Sequence, residues 1–94
     1  HSAMPRLSLV WPNPFNPSTT IAYEVPAAGQ VRLQVFDLRG RLVRTLVDDF
    51  VDAGHHEARW NGRDDDGREL PSAVYHSRLQ AGGQVARGMM TLVR

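Results

Sequence analysis

Three groups of side chains in this sequence could do chemistry. They are the acidic run Asp64-Asp65-Asp66-Gly67 with Glu69, the histidines His55, His56 and His76, and the arginines Arg39, Arg41 and Arg44. Clustered carboxylates suggest calcium, but a calcium loop of the EF-hand kind alternates its ligands with spacers and closes on a bidentate glutamate. Here the aspartates are consecutive, so neighbouring side chains diverge. A solvated hairpin tip built on an Asp-Gly turn fits that spacing better. His55 and His56 would have to grip an ion from one side, yet adjacent residues on a strand point to opposite faces. His76 is distant in sequence and no third ligand at metal spacing accompanies the pair. No metal and no cofactor is expected.

Nucleophilic chemistry finds equally little support. Ser8, Ser18, Ser72 and Ser77 have no partner base at sequence level, and neither a nucleophile elbow nor a glycine-rich phosphate loop is present. All eleven basic residues are arginine, which excludes a lysine Schiff base or isopeptide crosslink. Cysteine is absent as well, removing disulfides, thiolate metal sites and cysteine nucleophiles. The expectation is a protein without catalysis. A net charge of +1 gives no electrostatic case for nucleic acid. Arg39, Arg41 and Arg44 therefore read as solvated neighbours of Asp48, Asp49 and Asp52.

The elements that must position these residues are strands. "TTIAYEV" sets Thr19, Ile21, Tyr23 and Val25 on one face, and "QVRLQVFDL" sets Val31, Leu33 and Val35 inward with Arg32 and Gln34 outward. "DLRGR" is a hairpin signal in which Asp37 caps the turn and Gly40 takes the left-handed position. "LVRTLV" returns from Leu42 to Val47, and "DDFVDAG" reads as a polar connection. "HHEARW" places His56, Ala58 and Trp60 together. "AVYHSRLQ" does so with Tyr75, Ser77 and Leu79, and "VARGMMTLVR" with Ala86, Met90 and Leu92, running to the last residue. With a short strand at "LSLV", seven strands follow at turn intervals of roughly 8–12 residues. No connection is long enough for a crossover helix, so the pattern predicts an all-β, antiparallel, Ig-like β-sandwich, with a small barrel as the alternative. Trp60, Tyr23, Leu33 and Leu79 are the expected core anchors.

"WPNPFNPST", residues 11–19, is too rich in proline for a helix or a central strand. It predicts a stiff edge segment in which Trp11 and Phe15 anchor the end of the sandwich. Its exposed asparagines alternatively form a recognition epitope. At 94 residues the chain supports one core. Residues 1–4 read as a cloning remnant and 5–94 as the single domain. No apolar run reaches the roughly 18 residues of a membrane helix, and the domain is expected to be monomeric in isolation.

Four phrases, "WPNPFNPSTTIAYEVP", "VRLQVFDLRGRLVRTLVD", "AGHHEARWNGRDDDGRELPSAVYHSRL" and "MMTLVR", together resemble the carboxy-terminal sorting domain of type IX secretion. That domain is related in turn to the Ig-like domain of the flagellar hook-capping protein. The resemblance runs from about Leu7 to Arg94 in family order and spacing. It implies a non-catalytic address label on a larger exported protein, which crosses the periplasm and reaches the cell surface or medium. The implied partners are the outer-membrane translocon, which recognises the domain, and a surface sortase, which removes it and joins the cargo to a lipopolysaccharide anchor.

Carried over by resemblance, the recognition residues are Pro12, Asn13 and Pro14, then Asp37, Gly40 and Arg41, then Gly54 and Gly67, and finally Tyr75, Met90, Leu92, Val93 and Arg94. Trp60 and Leu79 match the family as core positions. The chain departs from the pattern at Ala73, where glycine is usual, at Met89, where a basic residue is usual, and at Ser77, which replaces an aromatic. Two other readings stay open. One is an accessory Ig-like module of a surface protein or polysaccharide hydrolase, with Trp11 and Trp60 stacking on sugar rings. The other is a hook-cap-like assembly domain.

Overall fold

The computed structural model describes residues 4–94; residues 1–3, most of the stretch read as a cloning remnant, lie outside them. Seven strands follow in order: β1 (Arg6–Trp11), β2 (Thr19–Val25), β3 (Gly29–Phe36), β4 (Leu42–Val51), β5 (Gly54–Trp60), β6 (Ala73–Ala81) and β7 (Gln84–Leu92). They form two antiparallel sheets, β1-β2-β5 and β4-β3-β6-β7, which face each other as an Ig-like sandwich.

Alternation decides which side chains enter the space between the sheets. Ile21, Tyr23 and Val25 of β2 meet Val31, Leu33 and Val35 of β3, Leu79 of β6, and Met90 and Leu92 of β7, all buried. Burying each large aliphatic side chain contributes about 1.5–3 kcal/mol. Tyr75, at the start of β6, donates its hydroxyl to the carbonyl of Pro71 at 2.7 Å, the tyrosine corner common in Ig-like sandwiches. Trp60 is fully buried, with its ring 5.3 Å from Tyr75 and 5.4 Å from Phe15. Its indole N–H donates to the Arg63 carbonyl at 3.0 Å, so the polar edge of the ring is satisfied.

Four expectations are corrected. Trp11 is 69% exposed, not an anchor. It stands opposite Thr20 on the outer face of its sheet, and Phe15, 1% exposed, takes the interior place instead. β4 continues through the acidic stretch to Val51, because β3 supplies cross-strand partners. Gln30 donates to Asp48 at 2.9 Å and Arg32 lies 3.6 Å from it, leaving Asp52-Ala53 as the connection to β5. Gln34 is buried, held in a polar row by donation to Thr45 and acceptance from Arg78. β7 ends at Leu92, short of the last two residues.

Two edges carry bulges. The β1–β2 register slips between Leu7 and Leu9, and the β3–β4 register slips twice, between Leu33 and Gln34 and between Val35 and Phe36. Such slips twist an edge away from further pairing. The second slip on β4 brings Val43 into the core.

Replacing Trp60 removes the ring that both Phe15 and Tyr75 pack on. Trp60→Ala is expected to cost about 3–5 kcal/mol in urea unfolding of the whole chain; a loss under about 1 kcal/mol would place the core elsewhere.

Candidate functional site

Strand direction sorts the loops onto two poles of a body 41 Å long. The segment 12–18, the β3–β4 turn 37–41, the β5–β6 connection 61–72 and residues 93–94 all fall at one pole. The turns 26–28, 52–53 and 82–83 fall at the other. Of the residues singled out by resemblance, Gly54 alone belongs to the far pole. The rest gather at the near one or on the strands that lead to it.

The opening segment reaches that pole by crossing between sheets. After β1, which pairs with β2, the chain runs beside the end of β7, with Phe15 and Leu92 forming a parallel bridge. Phe15 N–H donates to the Thr91 carbonyl and Val93 N–H to the Phe15 carbonyl, each at 2.9 Å. Asn13 Oδ1 accepts from Thr91 N–H at 2.9 Å. Thr19 donates its hydroxyl to the Pro12 carbonyl at 2.7 Å, fixing the return into β2. Asn13 thus does for β7 what a neighbouring strand would do, satisfying an edge donor.

Two turns at the pole share one construction. Asp37 Oδ1 accepts from the N–H groups of Arg39 and Arg41, both at 2.9 Å. Its Oδ2 lies 3.3 Å from Arg41 Nε. Asp64 Oδ1 accepts from Asp66 and Arg68 N–H at 3.0 and 2.9 Å, and its Oδ2 lies 3.3 Å from Arg68 Nε. In each turn a glycine directly precedes the second donor: Gly40 and Gly67 both sit at φ 82°, where an L side chain would be strained. The signal was D-x-x-G-R, present twice as "DLRGR" and "DDDGR". The sequence reading predicts an Asp-Gly turn at the second phrase too, but does not identify Asp64 as its cap. The N–H donors hold both carboxyls below the ordinary aspartate value, aided by the arginine of each turn.

The three consecutive aspartates have separate partners. Asp64 caps its own turn, Asp65 accepts from Thr45 N–H on β4 at 3.1 Å, and Asp66 pairs with Arg68 at 2.8 Å. The histidines are separated too: His56 stacks on Tyr23, His55 points to Glu24, and His76 stands on β6. Between the twin turns runs a groove of about 510 Å3 lined by Arg41, Leu42, Val43, Asp66, Arg68 and Leu70.

Arg94 closes the pole. Its backbone N–H donates to Ser72 Oγ at 2.8 Å. Its guanidinium donates to the carbonyls of Gly62, at 2.7 Å, and Leu70, and lies 3.5 Å from Glu69. A Cβ on Gly62 would come within 3.0 Å of both Arg94 Nη2 and the Pro17 carbonyl, and its φ is 73°. The resemblance put Arg94 among the recognition residues, but no local pattern in the sequence foretells this cradle. Tyr75, Met90 and Leu92 are buried, so they shape the pole from within. Pro12, Asn13, Pro14, Gly40, Arg41, Gly67 and Val93 are exposed, and Asp37 is half-buried.

Residues 16–84 match the FlgD Ig-like domain. The chain belongs to that family. Pro12, Asn13 and Pro14, and the end of β7 with Val93 and Arg94, lie outside the matched span. Solved structures share the fold. PorZ, an essential bacterial surface component of the type IX secretion system of Porphyromonas gingivalis, aligns at TM-score 0.64 and 23% identity, over 92% of this chain and 11% of that one. Dimeric latent PorU of the same organism gives 0.68 and 20%, over 90% and 9%. FlgD of Xanthomonas campestris, a hook-capping protein, gives 0.59 and 18%, over 94% and 64%. The chain therefore spans about a tenth of PorZ and PorU and less than two thirds of FlgD. No curated protein matches it.

Two measurements check the pole. A folded-state value below the ordinary carboxylate value near 3.8 means that Asp37 and Asp64 add stability above that pH and lose it as pH falls through their lowered values. The double variant Asp37→Asn, Asp64→Asn should be less stable than the native chain at neutral pH, and the gap should close in acid; a gap independent of pH would contradict the assignment. Gly62→Ala should destabilise by about 1–3 kcal/mol in thermal or urea unfolding, and an unchanged midpoint would show that the cradle yields freely.

Proposed function

We propose that this domain is a carboxy-terminal sorting module of type IX secretion, an address read by the outer-membrane translocon on a larger cargo protein. The reading takes it through the periplasm to the cell surface or medium, where a sortase separates it from the cargo. The domain itself performs no reaction. The observation that carries this reading is the junction of the opening motif with the chain's last strand. Asn13 and Phe15 bond to Thr91 and Val93, and Arg94 seats on the β5–β6 connection beside them. A translocon reading this pole would meet both motifs at once, in one fixed arrangement, although they are far apart in sequence. The fold likeness to PorZ, a surface component of that secretion system, adds support.

The accessory-module reading rests on aromatic side chains open to sugar rings. With Trp60 buried it has Trp11 and Phe50, which lie on different sheets and toward opposite poles, so they make separate surfaces in place of a platform. The sorting reading is preferred on that ground.

Residues 5–94 fused behind a periplasmically exported reporter, in a type IX-competent host, should send the reporter to the surface or medium. The same fusion in a translocon-deficient strain should leave it in the periplasm. Retention in the periplasm of the competent host would sink the reading.

A further inference from the structure

The first half of β7 is an open sheet edge. Thr91 turns its N–H and C=O away from β6, toward Asn13 and Phe15. The β6–β7 register is unbroken, so antiparallel alternation turns the N–H and C=O of Met89, Arg87 and Val85 the same way. The opening segment bonds to the edge only as far as Thr91; beyond it β1 approaches from the facing sheet, Leu7 lying against Gly88, but forms no ladder with β7. Of the four outer strands, β1 and β4 are bulged, whereas β7, like β5, is regular. The side chains of Val85, Arg87 and Met89 are all exposed and lie on the outer face of the four-stranded sheet.

Charge gives this edge a preference. Arg87 stands directly opposite Arg78 on β6, and like charges in that position repel. Arg78 is held in place from beneath, 4.6 Å over the Phe36 ring and 3.1 Å from Gln34 Oε1. Its Nε is buried without a hydrogen-bond partner among the described residues. No carboxylate lies within ion-pair distance of either arginine among those residues. Asp37, the acid bordering the adjoining groove, has its oxygens engaged by its own turn. A second copy of β7 docked about a two-fold axis would set Arg87 against its own counterpart beside both copies of Arg78. The edge is thus protected from self-pairing and remains open to a strand of opposite charge.

We propose that the stretch Val85–Met89 receives an extended segment of a partner protein by strand addition, with a carboxylate opposite Arg87 and apolar side chains two residues to either side, opposite Val85 and Met89. Main-chain bonds along the edge supply the binding, and the two arginines supply the selection. This inference does not depend on the sorting reading; it concerns a surface apart from the pole, and a reporter fusion and a binding experiment fail separately.

The test uses the full chain and two blocked peptides. In the first, valine stands two positions to either side of a central glutamate and threonine fills the gaps; in the second, lysine replaces the glutamate. Followed by amide NMR, the glutamate peptide should shift Val85, Arg87 and Met89 and bind about tenfold more tightly than the lysine peptide. Arg87→Gln should bring the two peptides close together, and Arg87→Glu should weaken the glutamate peptide and favour the lysine one. No binding at millimolar peptide, equal binding of both peptides to the native chain, or shifts centred on Leu9 and Trp11 would overturn the proposal. So would a concentration-dependent dimer, in sedimentation, that Arg87→Glu abolishes.

Discussion

Phe15 is where the two sheets are tied together. Its ring lies against Trp60 at the end of β5, in the three-stranded sheet, while its backbone bonds to Thr91 and Val93 beside the four-stranded one. One residue therefore spans the sandwich, and the prolines around it explain how. Their fixed φ and missing N–H keep the flanking residues out of regular pairing, so the chain can leave β2's neighbourhood and reach β7. The aromatic contact, worth about 0.5–1.5 kcal/mol beyond the area it buries, anchors the crossing. From this follow the order at the near pole, the seating of Arg94 and the covering of the end of β7.

The same pole shows how a small domain satisfies backbone groups without long strands. Asp37 and Asp64 each answer two N–H donors, Asn13 answers a third on β7, and Ser72 answers the N–H of Arg94. Arg94 in turn answers two carbonyls. Such side chains look functional in a sequence because they are polar, spaced and clustered. In the fold they act first as hydrogen-bonding partners of irregular backbone.

Strand existence was legible because alternation is a local property: Ile21, Tyr23 and Val25, or Tyr75, Ser77 and Leu79, announce an inner face by spacing alone. The seven strands, their turns and the core places of Trp60, Tyr23, Leu33 and Leu79 follow from it. What failed depends on distant partners. Nothing near Asp48 says that β3 will bring both Gln30 and Arg32 to it. Nothing near Gln34 foretells Arg78. Trp11 and Phe15 are equally apolar and only the path of the segment between them decides which one is buried. At the pole, the cap at Asp37 was visible from its glycine, whereas its twin at Asp64 was masked by two further aspartates. The cradle of Arg94 needs a glycine and two carbonyls from a connection more than twenty residues away, and no local pattern encodes it.

Residues 13–15 find their partners at residues 91–93, so the opening segment seats only once β7 is in place. Contacts of such long sequence separation are slow to form. A chain emerging with its amino end leading could pair β2 with β1 and β5 early, yet would hold Asn13 and Phe15 without their backbone partners until β7 arrives.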